Sequence, residues 1–165
     1  MTEAFWDWAV RAYGGEGIAD LCLELQDTHG QNVPLLLFAV WAGVSGVLLD
    51  EEAAEAAVDV SRAYAENVVE PLRTVRRKLK KPLSDMADTQ RERLRQQVKA
   101  LELEAERAQM TELAATLAPS QAGRADPVRD NVIAVAKAWA RIVPRNPLMG
   151  LCDALSERGF LSYNA

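Results

Sequence analysis

Seventeen consecutive residues, Val33 to Leu49, carry no charge. A helix this apolar has no face to give to water, so something apolar must surround it on every side. A bilayer would do so, but the run falls short of the roughly 20 residues that a span needs. It also holds Pro34, Gly43, Ser45 and Gly46, and no Lys or Arg flanks it to mark an inner end. The expected arrangement is a helix at the centre of a bundle.

The remaining sequence can supply that bundle. Apolar residues recur at helical spacing almost everywhere, and no strand-like alternation persists. Thr2 is placed to cap a short first helix carrying Phe5, Trp6, Ala9 and Val10, which Gly14-Gly15 ends. A second helix runs from about Glu16 to Thr28, with Ile18, Leu21, Cys22 and Leu25 on its apolar face. After the apolar run, Asp50 caps a helix reaching Lys81, with Glu51 and Glu52 in its first turn. Pro71 lies inside this helix, removes a backbone hydrogen bond and crowds the preceding turn, so a kink or break is expected there. Ser84 is placed to cap the next helix, which extends to Leu117 with a narrow stripe of Leu94, Val98, Leu101, Ala105 and Ala108. Residues 118–126 read as a linker-like loop. A helix from Asp126-Pro127 to Val143, a turn bracketed by Pro144 and Pro147, and a last helix over Leu148–Arg158 complete the chain. The expected fold is therefore all-α: one domain over residues 1–165, a bundle of six or seven helices, with 50–81 and 84–117 forming a long central hairpin.

Nearly half of the 165 residues are hydrophobic and 26% are charged, a globular balance with a net charge of −5. Such a chain is not built as a whole to coat nucleic acid, and any anion-binding surface must be local. One stretch qualifies. Arg73, Arg76, Arg77, Lys78, Lys80 and Lys81 give six bases within nine positions and no acid among them. Arg73, Arg76, Arg77 and Lys80 fall at i, i+3, i+4 and i+7, on one helix face, with Leu72, Val75 and Leu79 expected toward the core. Crowded like charges repel, and an acidic partner relieves them. The same charges also suit the C-terminal end of a helix that begins with acids. Carboxylates of the following helix, including Glu92, Glu102, Glu104 and Glu106, are placed to neutralise them internally.

Other features point less sharply. Trp6, Trp8 and Tyr13 on the first helix, together with Trp41, mark a possible apolar pocket or a docking face. Asp20, Glu24 and Asp27 share one helix face in the pattern of a Mg²⁺ site, but no second acidic motif accompanies them. The lone histidine, His29, has no Ser or Cys nucleophile paired with it locally. With two cysteines, Cys22 and Cys152, in apolar contexts, neither a disulfide scaffold nor a zinc site is expected. No phosphate loop or dinucleotide fingerprint occurs. No cofactor or bound metal is expected. The N-terminus lacks the basic start and apolar core of a secretory signal, so the cytoplasm is the expected location.

Phe5-Trp6, Tyr13, Gly17-Ile18-Ala19, Cys22 to Asp27, Gly30, Asn32-Val33, Leu35 to Phe38 and Trp41, with the later Val69-Glu70-Pro71-Leu72-Arg73, resemble a family of small proteobacterial proteins known only as a domain of unknown function. Where that family often has asparagine near position 34, this chain has Pro34, which puts the start of the third helix in question. The resemblance implies a bacterial cytoplasmic protein and brings no catalytic residues.

Three functions are expectations at this point. The first is a non-enzymatic adaptor whose Arg73, Arg76, Arg77 and Lys80 face binds an acidic protein; nucleic acid is not the expected partner. The second is a small-molecule-binding module with an apolar pocket under the N-terminal tryptophans. The third is a metal-dependent enzyme using the carboxylates of the second helix. A homo-oligomer through the 84–117 helix is left open.

Overall fold

The structure is a computed structural model that describes residues 4–117 and 127–162. The chain is all-α, with no strand among the described residues. Its helices are α1 (Phe5–Tyr13), α2 (Ile18–Asp27), α3 (Val33–Val44), α4 (Glu51–Tyr64), α5 (Glu70–Lys78), α6 (Asp88–Ala115), α7 (Pro127–Trp139) and α8 (Arg145–Glu157). A π-helical turn, Ala65–Val69, joins α4 to α5, so these two run as one continuous rod. No described helix is long and apolar enough to cross a membrane.

The apolar run forms the centre. Every residue of α3 from Val33 to Gly43 is buried. Asn32 caps it, its Oδ1 accepting from the Leu35 N–H at 3.0 Å, and Pro34 sits in the first turn, where a missing N–H costs nothing. Pro34 therefore fits the helix start without disturbing it. α7 covers α3 most extensively. The two approach so closely that a Cβ on Gly43 would lie 2.7 Å from the Val128 Cα. On another side Phe5 of α1 meets Trp41 at 5.3 Å and, edge-on, Phe38 at 5.9 Å between ring centroids. Asn131 of α7 is fully buried and holds the α3–α4 connection. Its Nδ2 donates to the Val47 carbonyl at 2.8 Å, and its Oδ1 accepts from the Leu49 N–H at 2.8 Å.

Several boundaries differ from the sequence expectation. Asp50 caps α4 as its type suggests, its carboxylate accepting from the Ala53 N–H at 2.8 Å. Pro71 does not end the rod. The turn before it widens by one residue, with the Glu70 N–H returning to the Ala65 carbonyl, which gives room to a residue that can neither donate nor tolerate crowding. α5 stops at Lys78 rather than Lys81, because Pro82 biases the residue before it away from helical geometry. Ser84 caps nothing. It lies in a turn with Asp85 at φ 60°, and α6 starts at Asp88. α7 ends at Trp139, short of Val143. α8 begins at Arg145 and takes Pro147 into its first turn. Thr2, Asp126 and the 118–126 segment lie outside the described residues.

The α5–α6 pair extends away from the apolar centre. The continuous core contains residues up to Val58 and resumes only at Met110. Along α6 the buried positions are Glu102, Ala105, Gln109, Met110 and Leu113. Of the expected stripe Ala105 is buried, whereas Leu94 and Leu101 are about half exposed.

Candidate functional site

The cationic stretch splits into two sets. Arg73 is buried and turns toward α6, in place of Val75, which is exposed. Its Nη1 donates to Glu70 Oε1 at 2.7 Å and its Nη2 to Glu106 Oε1 at 3.4 Å. One turn on, the Nε of Arg76 donates to both oxygens of the buried Glu102, at 2.9 and 2.8 Å. In an antiparallel pair of helices, arginines spaced i, i+3 on one strand of the hairpin meet carboxylates spaced i, i+4 on the other. That register buries Arg73, half-buries Arg76 and leaves Val75 to solvent.

Arg77, Lys78, Lys80 and Lys81 are exposed, as are Arg93 and Lys99 on α6. None of these six makes an ion pair among the described residues. Lys80 lies beyond the end of α5, so the four-residue stripe is not one helix face. The turn between α5 and α6 is tied by Arg91, whose Nη1 donates to the Leu79 carbonyl at 2.6 Å. Residues 73–99 contain ten Lys and Arg against three Asp and Glu, a net of +7. The whole chain totals −5, which leaves −12 on everything else.

The expected aromatic pocket is partly assembled. Trp6 and Tyr13 line an apolar groove of about 250 Å³ with Val10, Leu37, Leu103 and Met110. The guanidinium of Arg107 lies 5.2 Å over the Trp6 ring. Trp8 and Trp41 do not join it; both are buried in the core.

A second chamber of about 220 Å³, of mixed lining, adjoins the groove, sharing Gln26, Val33, Pro34 and Glu106 as walls. The π turn forms one side through Ala65, Glu66 and Val69. Arg73 and Gln109 enter from α5 and α6, Gln31 from the α2–α3 turn, and Trp139 from the end of α7. Trp139 is held from two directions. Its Nε1 donates to the Gly30 carbonyl at 2.9 Å, and the Arg62 guanidinium stacks 4.8 Å from its ring centroid while donating to its carbonyl at 2.6 Å. Gln109 donates to Asn32 Oδ1 at 3.0 Å. Burial holds the Glu106 carboxyl above the usual carboxylate range, because Arg73 gives Glu70 its closer contact and compensates Glu106 less.

Asp20, Glu24 and Asp27 are all exposed, and no group of three or more His, Cys, Asp and Glu among the described residues is placed to hold a metal ion. His29 lies 4.0 Å from Glu24 at the end of α2. Cys22 and Cys152 are buried, and burial pushes the Cys22 thiol up to about 12.

Sequence reasoning missed Gln31, Arg62, Gln109 and Trp139 as members of one chamber. Each is an unremarkable residue on a separate element, and only the helix packing brings them together.

The family described as a protein of unknown function (DUF2390) matches residues 4–113, two-thirds of the chain. This chain belongs to that family. The DUF2390 match runs from α1 to the last turns of α6, so it contains the hairpin and the groove, while Trp139 lies beyond it. No curated protein and no solved structure matches the chain.

Proposed function

We propose that this protein is a non-enzymatic interaction module that binds an acidic protein partner through the tip of its α5–α6 hairpin. The observation that carries the reading is six exposed Lys and Arg side chains that make no ion pair among the described residues, grouped on an element outside the continuous core. The contact residues are Arg77, Lys78, Lys80, Lys81, Arg93 and Lys99, whereas Arg73 and Arg76 hold the hairpin together. Placing unpaired cations close together costs folding free energy and steers an oppositely charged surface toward them. A protein with a local acidic patch fits better than a nucleic acid, because the −12 on the rest of the molecule repels an extended polyanion.

The test is affinity purification from the native host with the natural chain and with Arg77→Glu plus Lys80→Glu. Both sites are exposed, so helical circular dichroism should be unchanged. Partners that bind the natural chain should be lost from the variant and should elute from the natural chain at elevated salt. Recovery of the same partners by both proteins overturns the reading.

The groove under Trp6 and Tyr13 supports a second reading, binding of an apolar small molecule. Saturable binding of an apolar fluorescent dye that is abolished by Trp6→Ala would support it, and unaltered dye binding would remove it.

A further inference from the structure

Besides its cationic tip, the α5–α6 hairpin has an apolar face. The ion pairs of Arg73 and Arg76 with Glu106 and Glu102 fix which sides of the two helices meet. The apolar stripe of α6 divides across that contact. Ala105 turns inward and Val98 is half-buried, while Leu94 and Leu101 are about half exposed and Ala108 is half-buried beside them. Leu94, Leu101 and Ala108 recur every seven residues, so they lie along one line of the helix surface. Val68 of the π turn and Leu72 of α5 sit next to that line and share with Leu101 and Ala108 a shallow groove of about 460 Å³. Val75, also exposed, follows Leu72 at i+3. The face lies outside the continuous core, and a contiguous apolar surface of this kind marks an interaction site.

We propose that a second copy of the chain covers this face, packed antiparallel about a two-fold axis at Leu101. Charge selects that arrangement. Along the outer edge of the face α6 carries Arg93 near the hairpin tip and Glu104 and Glu112 nearer the core, all three exposed. Glu104 lines the groove, and Glu112 is held at its inner end by the Tyr64 hydroxyl, which donates to it at 2.5 Å. Two copies packed tip to tip would set arginine against arginine and glutamate against glutamate. Turned end for end, each Arg93 meets the acids of the other copy, so the face is complementary to itself, as an isologous interface requires. Side-chain size gives the register. With Leu101 opposite Leu101 of the second copy, Leu94 falls opposite Ala108, a large residue against a small one on both sides of the axis. Arg93 then lies opposite position 109, between Glu104 and Glu112 of the second copy and within about 8 Å of each along the helix. The size of the face agrees. From Leu94 to Glu112 α6 runs about 27 Å, and two packed helices are about 20 Å across. That offers roughly 500 Å² per copy and about 1,000 Å² in the pair, which reaches the lower bound of a specific interface and fits a reversible dimer. Glu104 and Glu112 on the rim disfavour an anionic lipid surface as the occupant.

Sedimentation equilibrium of the full chain at rising concentration tests the dimer. The mass of the natural chain should climb from 18.1 kDa toward twice that value. Leu101→Glu should weaken association at least tenfold and leave helical circular dichroism unchanged, since Leu101 is half exposed. Arg93→Glu should weaken it as well, and adding Glu104→Arg and Glu112→Arg should restore it. Cysteine cross-linking then reads the register, because the natural Cys22 and Cys152 are buried. Leu101→Cys should give a disulfide-linked dimer under mild oxidation. Leu94→Cys alone should not, because the two copies of position 94 lie about 21 Å apart along the helix axis. An equal mixture of Leu94→Cys and Ala108→Cys should link. A natural chain that stays monomeric up to about 0.5 mM overturns the proposal. So does Leu94→Cys linking to itself as readily as Leu101→Cys, which would mean tip-to-tip packing. Failure of Leu101→Cys to link would assign the face to another occupant, such as a helix of a different protein, and the proposal fails. Arg77→Glu with Lys80→Glu should leave the dimer intact; loss of the dimer there would move the contact to the tip and overturn this face. The dimer shares only Arg93 with the acidic-partner reading, so either can fail without the other.

Discussion

Arg76 presents its Nε to both carboxylate oxygens of Glu102, and the pair clamps α5 to α6 where the hairpin leaves the core. The Glu102 side chain is 10% exposed and that of Arg76 27%, so the carboxylate depends on the arginine more than the reverse. Arg76→Ala should cost about 1–3 kcal/mol in urea denaturation, since it leaves a nearly buried acid unpaired. Arg76→Met combined with Glu102→Met should cost less than the single change, because no charge is then stranded. Equal losses in the single and double variants would show that the pair does not couple.

The α3 centre was legible because a helix without charge admits one environment, and α4 was legible from Asp50 and its acidic first turn. The periodicity of α5 separates its faces but does not say which of them meets α6. Hydrophobicity alone favours Val75 inward, and the Arg73–Glu106 and Arg76–Glu102 pairs overturn that from carboxylates 33 and 26 residues away. The widened turn before Pro71 has the same character. A proline signals a disturbed helix without saying whether the rod breaks or takes in one more residue. The chamber was illegible for a further reason. Gln31 and Trp139 belong to different elements and gain meaning only through the packing of α7 against α3.

The contact of Gly43 with Val128 tests that packing directly. A methyl group at position 43 would come within 2.7 Å of backbone atoms on α7, which cannot swing aside as a side chain can. Gly→Ala normally favours a helix by about 1 kcal/mol, so propensity and packing point in opposite directions at position 43. Packing should win, with a net loss of about 1–3 kcal/mol read as a lower urea midpoint. A gain in stability would mean that α3 and α7 are farther apart than this geometry requires.

Asn131 makes a different kind of contribution. It satisfies backbone groups at Val47 and Leu49, in the stretch between α3 and α4 that has no ladder of its own. Asn131→Ala would leave a buried N–H and a buried carbonyl without partners, at about 1–3 kcal/mol each before relaxation. Amide hydrogen exchange should locate the damage, with the Leu49 N–H exchanging much faster in the variant and amides of α8 little changed. Uniform acceleration throughout the protein would indicate that Asn131 acts on global stability without a specific hold on this connection.

Glu106 gives the hairpin a pH dependence of defined sign. Burial is the largest influence on its carboxyl and raises its pKa from the ordinary 4.5; Glu102 acts in the same direction, while Arg73 and Arg76 oppose it. A carboxyl whose folded pKa lies above its unfolded value binds its proton more tightly in the native state. Its stabilising contribution is fully present below the unfolded value and disappears as pH rises through the folded one. Titration followed by carboxyl ¹³C NMR should therefore place the Glu106 midpoint above 4.5. Over the same window the natural chain should lose stability relative to Glu106→Gln, which has no proton to release. Arg73→Met should move the midpoint higher still by removing the nearest opposing charge. A midpoint below the ordinary value would mean that the 3.4 Å contact with Arg73 outweighs burial, and the sign of the pH dependence would reverse.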